Sequence, residues 1–319
     1  MRAVGFDVNG GPEVLRAVEL PVPEPGPGQV LIRVAYAGVN YGEVQHRLGD
    51  FGPPDGTDVP GLEVSGEIVA LGPGVTGLAL GDLVAAYLPD GGGYAEYAVA
   101  PADFAFPLDG ISPRDGGGAA LVLTTAYGVL AGAARLVPGD SVLIHAAAGG
   151  VGSAAAQIAR ALGAASVHGT VGGSGKADYA KRFGYDAVHT RDTFAERLRD
   201  IDIVLDPIGG PTRLASLDVL APFGRLAVYG EAGRHPDLTL PVLPLWKNNR
   251  SLTGYNIGDL ARRAPACLRS HALAALSLLA SGAIRLDITT ELPLDRAAEA
   301  HQALQSGTSR GKTLLAVRP

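Results

Sequence analysis

Hydrophobic positions along this chain change rhythm twice. Up to about residue 120 they form short runs, at 2–6, 29–36, 64–71, 81–87 and 94–99, broken by glycine and proline. Pro21, Pro23, Pro25 and Pro27 fence the second run, and Gly72-Pro73-Gly74 turns the chain after the third. Short strands with such punctuation predict a compact, partly closed β domain. From about 121 to 258 strands alternate with helices. A strand entering His145 and a helix running to Arg160 are followed by strands at 165–170, 187–189, 201–206, 225–229 and 251–255, with helices near 176–183, 193–198 and 212–220. This βαβ repetition predicts an α/β fold with a doubly wound parallel sheet. The tail changes style again: a helix at 271–280, a strand at 288–291, a helix at 295–304 and a last strand at 312–317. It is expected to rejoin the first domain, giving one domain of residues 1–120 plus 259–319 and an inserted one of residues 121–258.

At 319 residues the chain exceeds what one core usually holds. It is 47% hydrophobic and 18% charged, with no run fit to span a membrane. A net charge of −6 gives no reason to expect nucleic acid or an anionic membrane as partner. The start of the chain enters a strand pattern without a signal-peptide layout. Cys267 is the single cysteine, so no internal disulfide or multi-cysteine zinc site can form. Both features fit a cytoplasmic protein. The seven histidines form no H-E-x-x-H pair.

The chemistry-bearing stretch is residues 141–160. A short apolar run reaches Ala146-Ala147-Ala148-Gly149-Gly150-Val151-Gly152, then an alanine-rich helix. Strand, tight turn and helix in this order let the backbone approach a pyrophosphate and aim helix N–H groups at it. The G-x-G-x-x-G fingerprint is met with Ala147 at the first glycine position and Gly149 and Gly152 at the others. Ala148, Gly149, Gly150, Val151 and Gly152 are therefore the expected dinucleotide contacts. NAD sites place an acidic residue near the end of the next strand. Here Thr170 to Lys176 contains no Asp or Glu. A 2′-phosphate suits Ser174, Lys176 and the loop's N–H groups, so NADPH is expected over NADH. Lysine occurs only at Lys176, Lys181, Lys247 and Lys312, and Lys181, on the same predicted helix, is assigned no role.

Several motifs in order now resemble the zinc-independent branch of the medium-chain dehydrogenase/reductase superfamily, the quinone oxidoreductases (zeta-crystallin-like) and polyketide enoyl reductases. They are Gly38-Val39-Asn40-Tyr41, Pro60 to Gly66, Leu71 to Val75 with Gly81-Asp82, Thr125-Ala126-Tyr127, Ala146 to Gly152, Asp206 to Gly210 and Gly311-Lys312. Zinc-dependent relatives carry a cysteine within the segment matching Val39-Asn40-Tyr41 and Gly-His-Glu at Gly61-Leu62-Glu63. Glu63 alone cannot hold a catalytic zinc, which takes about three protein ligands, so no metal is expected.

The resemblance implies a Rossmann-type sheet inserted into a GroES-like, mostly-β catalytic domain. It implies an NADPH-dependent reductase passing hydride to a quinone or an α,β-unsaturated carbonyl, with charge developing on the carbonyl oxygen. Asn40 and Tyr41 are the expected donors to that oxygen, Tyr41 also a proton source, and Thr125 is expected to border the nicotinamide. Thr170, Ser174, Lys176 and Arg191 are expected near the adenosine phosphate, with Arg310 or Lys312 taking a third basic position that falls on Gly307. Gly230 and the loop Tyr255-Asn256-Ile257 are expected to flank the ring. Quinone reductases often carry tyrosine where this chain has Gln45. Two other readings stay open: an enoyl-thioester reductase or cyclase on the same scaffold, and a non-catalytic NADPH-binding protein with a structural or regulatory role. A homodimer is expected through the edge strand at 252–255; Trp246 is expected at a domain junction or that dimer contact.

Overall fold

The computed structural model describes residues 1–317, with the side chain of Ser174 outside that description. The strands are β1 (Arg2–Gly5), β2 (Arg16–Glu19), β3 (Gln29–Val39), β4 (Glu63–Leu71), β5 (Leu83–Tyr87), β6 (Tyr97–Pro101), β7 (Ala105–Pro107), β8 (Ser141–Ile144), β9 (Ser166–Val171), β10 (Ala187–Thr190), β11 (Ile201–Asp206), β12 (Leu220–Val228), β13 (Ser251–Gly254), β14 (Ile288–Pro293) and β15 (Lys312–Ala316). They fall into two compact units: residues 1–122, 261–281 and 286–319, and residues 123–260 with 282–285.

In the first unit β14, β15, β3, β4, β5 and β7 lie side by side, and β6 pairs with β3. All these pairings are antiparallel except β14 with β15. The alternation of β3 sends Val30, Ile32 and Val34 inward, where they meet Ile68, Val84, Leu88 and Tyr94. β3 ends at Val39, and the helix Tyr41–Arg47 begins after Asn40. The strand pattern did not announce that short helix.

The second unit holds six parallel strands in the order β10-β9-β8-β11-β12-β13. The order reverses between β8 and β11, so the loops leaving those two strands open beside each other at the carboxyl edge, where doubly wound sheets bind ligands. The predicted elements lie close to the observed ones, with differences that have local causes. The helix expected at 271–280 starts earlier, as Pro265–Ala280, because proline is accepted at the first helical position. The helix expected at 176–183 is only Ala177–Lys181, and the left-handed Gly184 turns the chain soon after it. Among the described residues no helix is long and apolar enough to cross a membrane.

One buried ion pair fixes the mouth of the parallel sheet. Asp206, at the end of β11, is fully buried. Its Oδ1 accepts the N–H groups of Ile208 (2.7 Å) and Gly209 (3.1 Å), and its Oδ2 accepts Arg213 Nε at 2.7 Å. Arg213 also donates to the Gly230 carbonyl (3.1 Å) and pairs with Glu231 (2.7 Å). The loops after β11 and β12 are thereby tied together. Replacing Arg213 by Met leaves the Asp206 carboxylate buried without its counter-ion. The expected loss is about 3–5 kcal/mol of unfolding free energy, read by urea denaturation; a loss under about 1 kcal/mol would refute the assignment.

Candidate functional site

The glycine motif forms the loop it predicted, with one shift. β8 delivers the buried His145, and the left-handed turn falls on Ala146 (φ 55°), one residue before the position read as the first glycine. The helix Gly150–Ala161 follows, with Gly149 as its N-cap. Its first-turn N–H groups have no intrahelical acceptor and carry the positive end of the helix dipole. Gly150 and Val151 are half-buried at this end, while Ala148 and Gly152 are buried. A Cβ on Gly152 would lie 2.4 Å from the Ala146 carbonyl oxygen and 2.9 Å from Ala147 Cα. Only glycine lets the helix start this close to the turn. The cradle therefore fits a pyrophosphate.

Thr170 does not face that cradle. It is fully buried, its hydroxyl 2.7 Å from His145 Nδ1, and its carbonyl accepts the Ala147 N–H. The His145 ring is satisfied on both sides, with Nε2 2.8 Å from Ser216 Oγ. Ser216 Oγ donates to the Thr212 carbonyl at 2.7 Å, so it accepts from His145 Nε2–H, and Nδ1 accepts from Thr170. Thr170 thus anchors the turn through an interior histidine and is corrected from cofactor contact to scaffold.

At the end of β9 a cation lies beside the loop. A Cβ on Gly172 would lie 3.4 Å from Arg191 Nη2, which puts the guanidinium beside the loop that holds Lys176. Arg191 Nε is buried without a hydrogen-bond partner, as is Thr125 Oγ1 on the helix Val122–Tyr127. A buried polar atom left unsatisfied is costly, and both lie at positions expected to meet cofactor. Ser174's side chain lies outside the described residues. Lys176 is half-buried. Lys181 pairs with Asp178 at 2.9 Å, as befits a solvated surface lysine. Gly230 sits after β12, its carbonyl held by Arg213. Tyr255 is buried, its hydroxyl donating to the Thr124 carbonyl (3.4 Å) and its ring against Gly128. Asn256 is exposed, and its Oδ1 accepts the Asp259 N–H as a helix cap.

In the first unit the structure overturns two expectations together. Lys312 is 3% exposed, and its ammonium donates to the Val39 carbonyl (3.0 Å) and Asn40 Oδ1 (2.5 Å) and pairs with Glu63 Oε1 (2.5 Å). Three donors meet three acceptors, so Lys312 does not reach a phosphate. Asn40 spends its amide hydrogens on Glu43 Oε1 (3.2 Å) and Glu63 Oε1 (3.1 Å). It is a linker of buried carboxylates and not a donor to a carbonyl oxygen. Glu63 is satisfied on its other oxygen by the Leu121 N–H at 2.8 Å. Tyr41 is half-buried at the first position of its helix. Arg310 is exposed in the turn before β15, its carbonyl accepting from Thr289 Oγ1.

The sequence reading missed Glu43, Arg47 and His301. Glu43 is fully buried, and its Oε2 accepts the Asn40 N–H at 2.8 Å; Asn-x-x-Glu at a helix start was the available signal. Arg47 holds the other end of the same helix. It donates to the Gly10 carbonyl, to Gln305 Oε1 at 2.7 Å and to His301 Nδ1 at 3.3 Å, and His301 Nε2 lies 3.1 Å from the Tyr94 hydroxyl. No local pattern marks a pairing across 254 positions. Among the described residues no group of three or more His, Cys, Asp or Glu is disposed to hold a metal ion.

Burial pushes His145 down to about 4, with Asp206 opposing the shift and Arg191 adding to it. The unfolded chain therefore takes up a proton between pH 6.5 and 4 that the folded chain refuses. The stability contributed by neutral His145 is complete above pH 6.5 and is lost as pH falls through that window, by about 3 kcal/mol in all. His145→Gln is expected to flatten this part of the pH dependence of unfolding free energy. A variant that keeps the wild-type slope would contradict the neutral, doubly bonded ring.

Residues 26–110 match the alcohol dehydrogenase GroES-like domain family, and residues 150–273 match the zinc-binding dehydrogenase family. A quinone oxidoreductase of Pseudomonas aeruginosa is 33% identical over 325 residues, covering 98% of this chain and 99% of that protein. The Escherichia coli quinone oxidoreductase, solved in complex with NADPH, superposes with a TM-score of 0.90 at 29% identity over 99% of this chain and all of that one. A mycocerosic acid synthase-like polyketide synthase of Mycobacterium tuberculosis is 31% identical over 92% of this chain, which spans only 14% of that protein's length. With both units matched in chain order and a relative aligned end to end, the chain belongs to the medium-chain dehydrogenase/reductase superfamily of oxidoreductases, in the zinc-independent branch that contains the quinone oxidoreductases.

Proposed function

We propose that this chain is an NADPH-dependent, metal-free reductase of quinones or α,β-unsaturated carbonyls. The observation that carries the cofactor choice is the cationic end of β9. Arg191 lies beside Gly172 with its Nε buried and unpartnered, and residues 170–176 hold no carboxylate. That arrangement favours a 2′-phosphate, while the Gly152 cradle favours a pyrophosphate. NADPH, when bound, supplies the hydride. The chain supplies binding and polarisation. The Thr125 hydroxyl, buried without a partner, is available to a ligand. Of the two expected donors to the carbonyl oxygen, Tyr41 remains, because Asn40 is spent on Glu43 and Glu63. A hydroxyl aimed at developing oxyanion charge lowers the barrier by a few kcal/mol.

A second reading, enoyl-thioester reduction, is favoured by the alignment to a polyketide synthase segment. Self-association is part of the proposal. β13 is the edge of the parallel sheet, and Leu252 on it, with Val242, Leu243 and Trp246 on the preceding helix, is exposed. A sheet edge beside exposed apolar side chains argues for a second copy on this face.

Four measurements test these statements. NADPH and NADH oxidation against quinones, free enones and enoyl thioesters should show turnover with NADPH. Lys176→Ala and Arg191→Ala should each raise KM for NADPH about 10–100-fold with little effect on NADH, whereas Lys181→Ala should behave as wild type. Tyr41→Phe should lower kcat by about 10²-fold. Silence across the panel with NADPH binding intact would sink the reductase reading. Unchanged NADPH preference in both cation variants would sink the phosphate assignment. Sedimentation at micromolar concentration should give twice the chain mass.

A further inference from the structure

The buried polar cluster at the start of the helix Tyr41–Arg47 has more structure than a cap requires. Four segments meet there. β3 offers the Val39 carbonyl, β15 offers Lys312, the chain entering β4 offers the Leu62 N–H and Glu63, and Leu121 offers its N–H. Gly38 lacks a side chain where a Cβ would sit 2.6 Å from Glu63 Oε1, so β3 itself makes room for the carboxylate. Glu43 accepts the Asn40 N–H on Oε2, and the Leu62 N–H (3.0 Å) and Asn40 amide (3.2 Å) on Oε1. Every one of these partners is a donor. Two of the three bonds come from Asn40, and a proton on Glu43 weakens them by removing the charge they meet.

The charges are unequal: two carboxylates face one ammonium. Besides Lys312 and Glu63, the groups that sense Glu43 are His46 on its own helix, Tyr87 on β5 and Tyr94. Burial pushes Glu43 up to about 7, and Lys312 draws it back. The surplus charge is thus added or removed near neutrality.

We propose that Glu43 and Lys312 are positioning residues, whose fully hydrogen-bonded, ion-paired state holds the Asn40–Tyr41 turn in the geometry that presents Tyr41. The inference rests on the reading of Tyr41 as the group that meets the substrate. In this state Lys312 clamps the end of β3 to Asn40, and ionised Glu43 holds the backbone and side chain of Asn40. Protonation of Glu43 removes the charge that strengthens those bonds and loosens the turn.

The test uses the whole chain, with Glu43→Gln, Lys312→Arg and Lys312→Met. Amide hydrogen exchange of the segment 38–48, corrected for the intrinsic pH dependence, needs no turnover. Wild type should gain protection as pH rises through about 7, Glu43→Gln should show no such step, and Lys312→Arg should keep it. Lys312→Met, if it folds, should move the step upward, because the ammonium that favours ionised Glu43 is gone. In turnover, kcat should follow the same limb while KM for NADPH stays within about twofold in all three variants. A merely structural role would lower kcat equally at every pH. Exchange without a step in wild type, or an identical step in Glu43→Gln, overturns the proposal. A step in exchange without turnover in any protein overturns the reductase reading and leaves the cluster's hold on the turn standing.

Discussion

The buried pair of Lys312 and Glu63 is the constraint on which the first unit depends. An ammonium and a carboxylate removed from water cost several kcal/mol each unless every donor and lone pair is met. The pair meets that demand by drawing in Val39 and Asn40 from one segment and Leu121 from another that the chain order keeps far apart. β15 has to lie against β3 for the ammonium to arrive, with Leu314 opposite Gly38 and Thr313 opposite Val39. Sheet closure and the local geometry of the Asn40–Tyr41 turn are therefore one problem with one solution. Arg47 repeats the logic at the far end of the helix, where His301 and Gln305 return from the tail of the chain.

The second unit is governed by a different constraint, close approach. Gly152 lets a helix begin against the Ala146 turn, and Gly169 lets β9 pass where a Cβ would come 2.7 Å from the Ala147 side chain. Glycine at these places removes bulk where backbone segments approach each other. Interior hydrogen bonds then hold the turn rigid: Thr170 and Ser216 around neutral His145, and Asp206 with Arg213 at the neighbouring loop. Polar residues near a glycine loop are in this case mostly framework. Arg191 Nε and Thr125 Oγ1, by contrast, are among the buried polar atoms left without a partner.

This division explains which side chains a reader of the sequence assigns well. Lys176 and Lys312 look alike in a chain poor in lysine, each next to glycine or one residue beyond it. One is half-buried on a loop after a parallel strand, and the other is sealed beneath a sheet. Tyr255 follows a strand end where a ring contact is expected, yet its hydroxyl turns back to the Thr124 carbonyl.

The sequence by itself determined the alternation of β and βαβ segments, because side-chain periodicity and glycine–proline punctuation are local properties. It determined the dinucleotide loop for the same reason, since strand, glycines and helix are contiguous in the chain. It also determined that no carboxylate follows β9. Only the tertiary structure decided that Asn40 reaches Glu63, that Lys312 is a buried counter-ion, that Thr170 serves His145, and that Arg47 meets His301. Those roles come from pairings across tens to hundreds of residues, and burial, which sets the energy of every charge involved, is fixed only when the distant segments have come together.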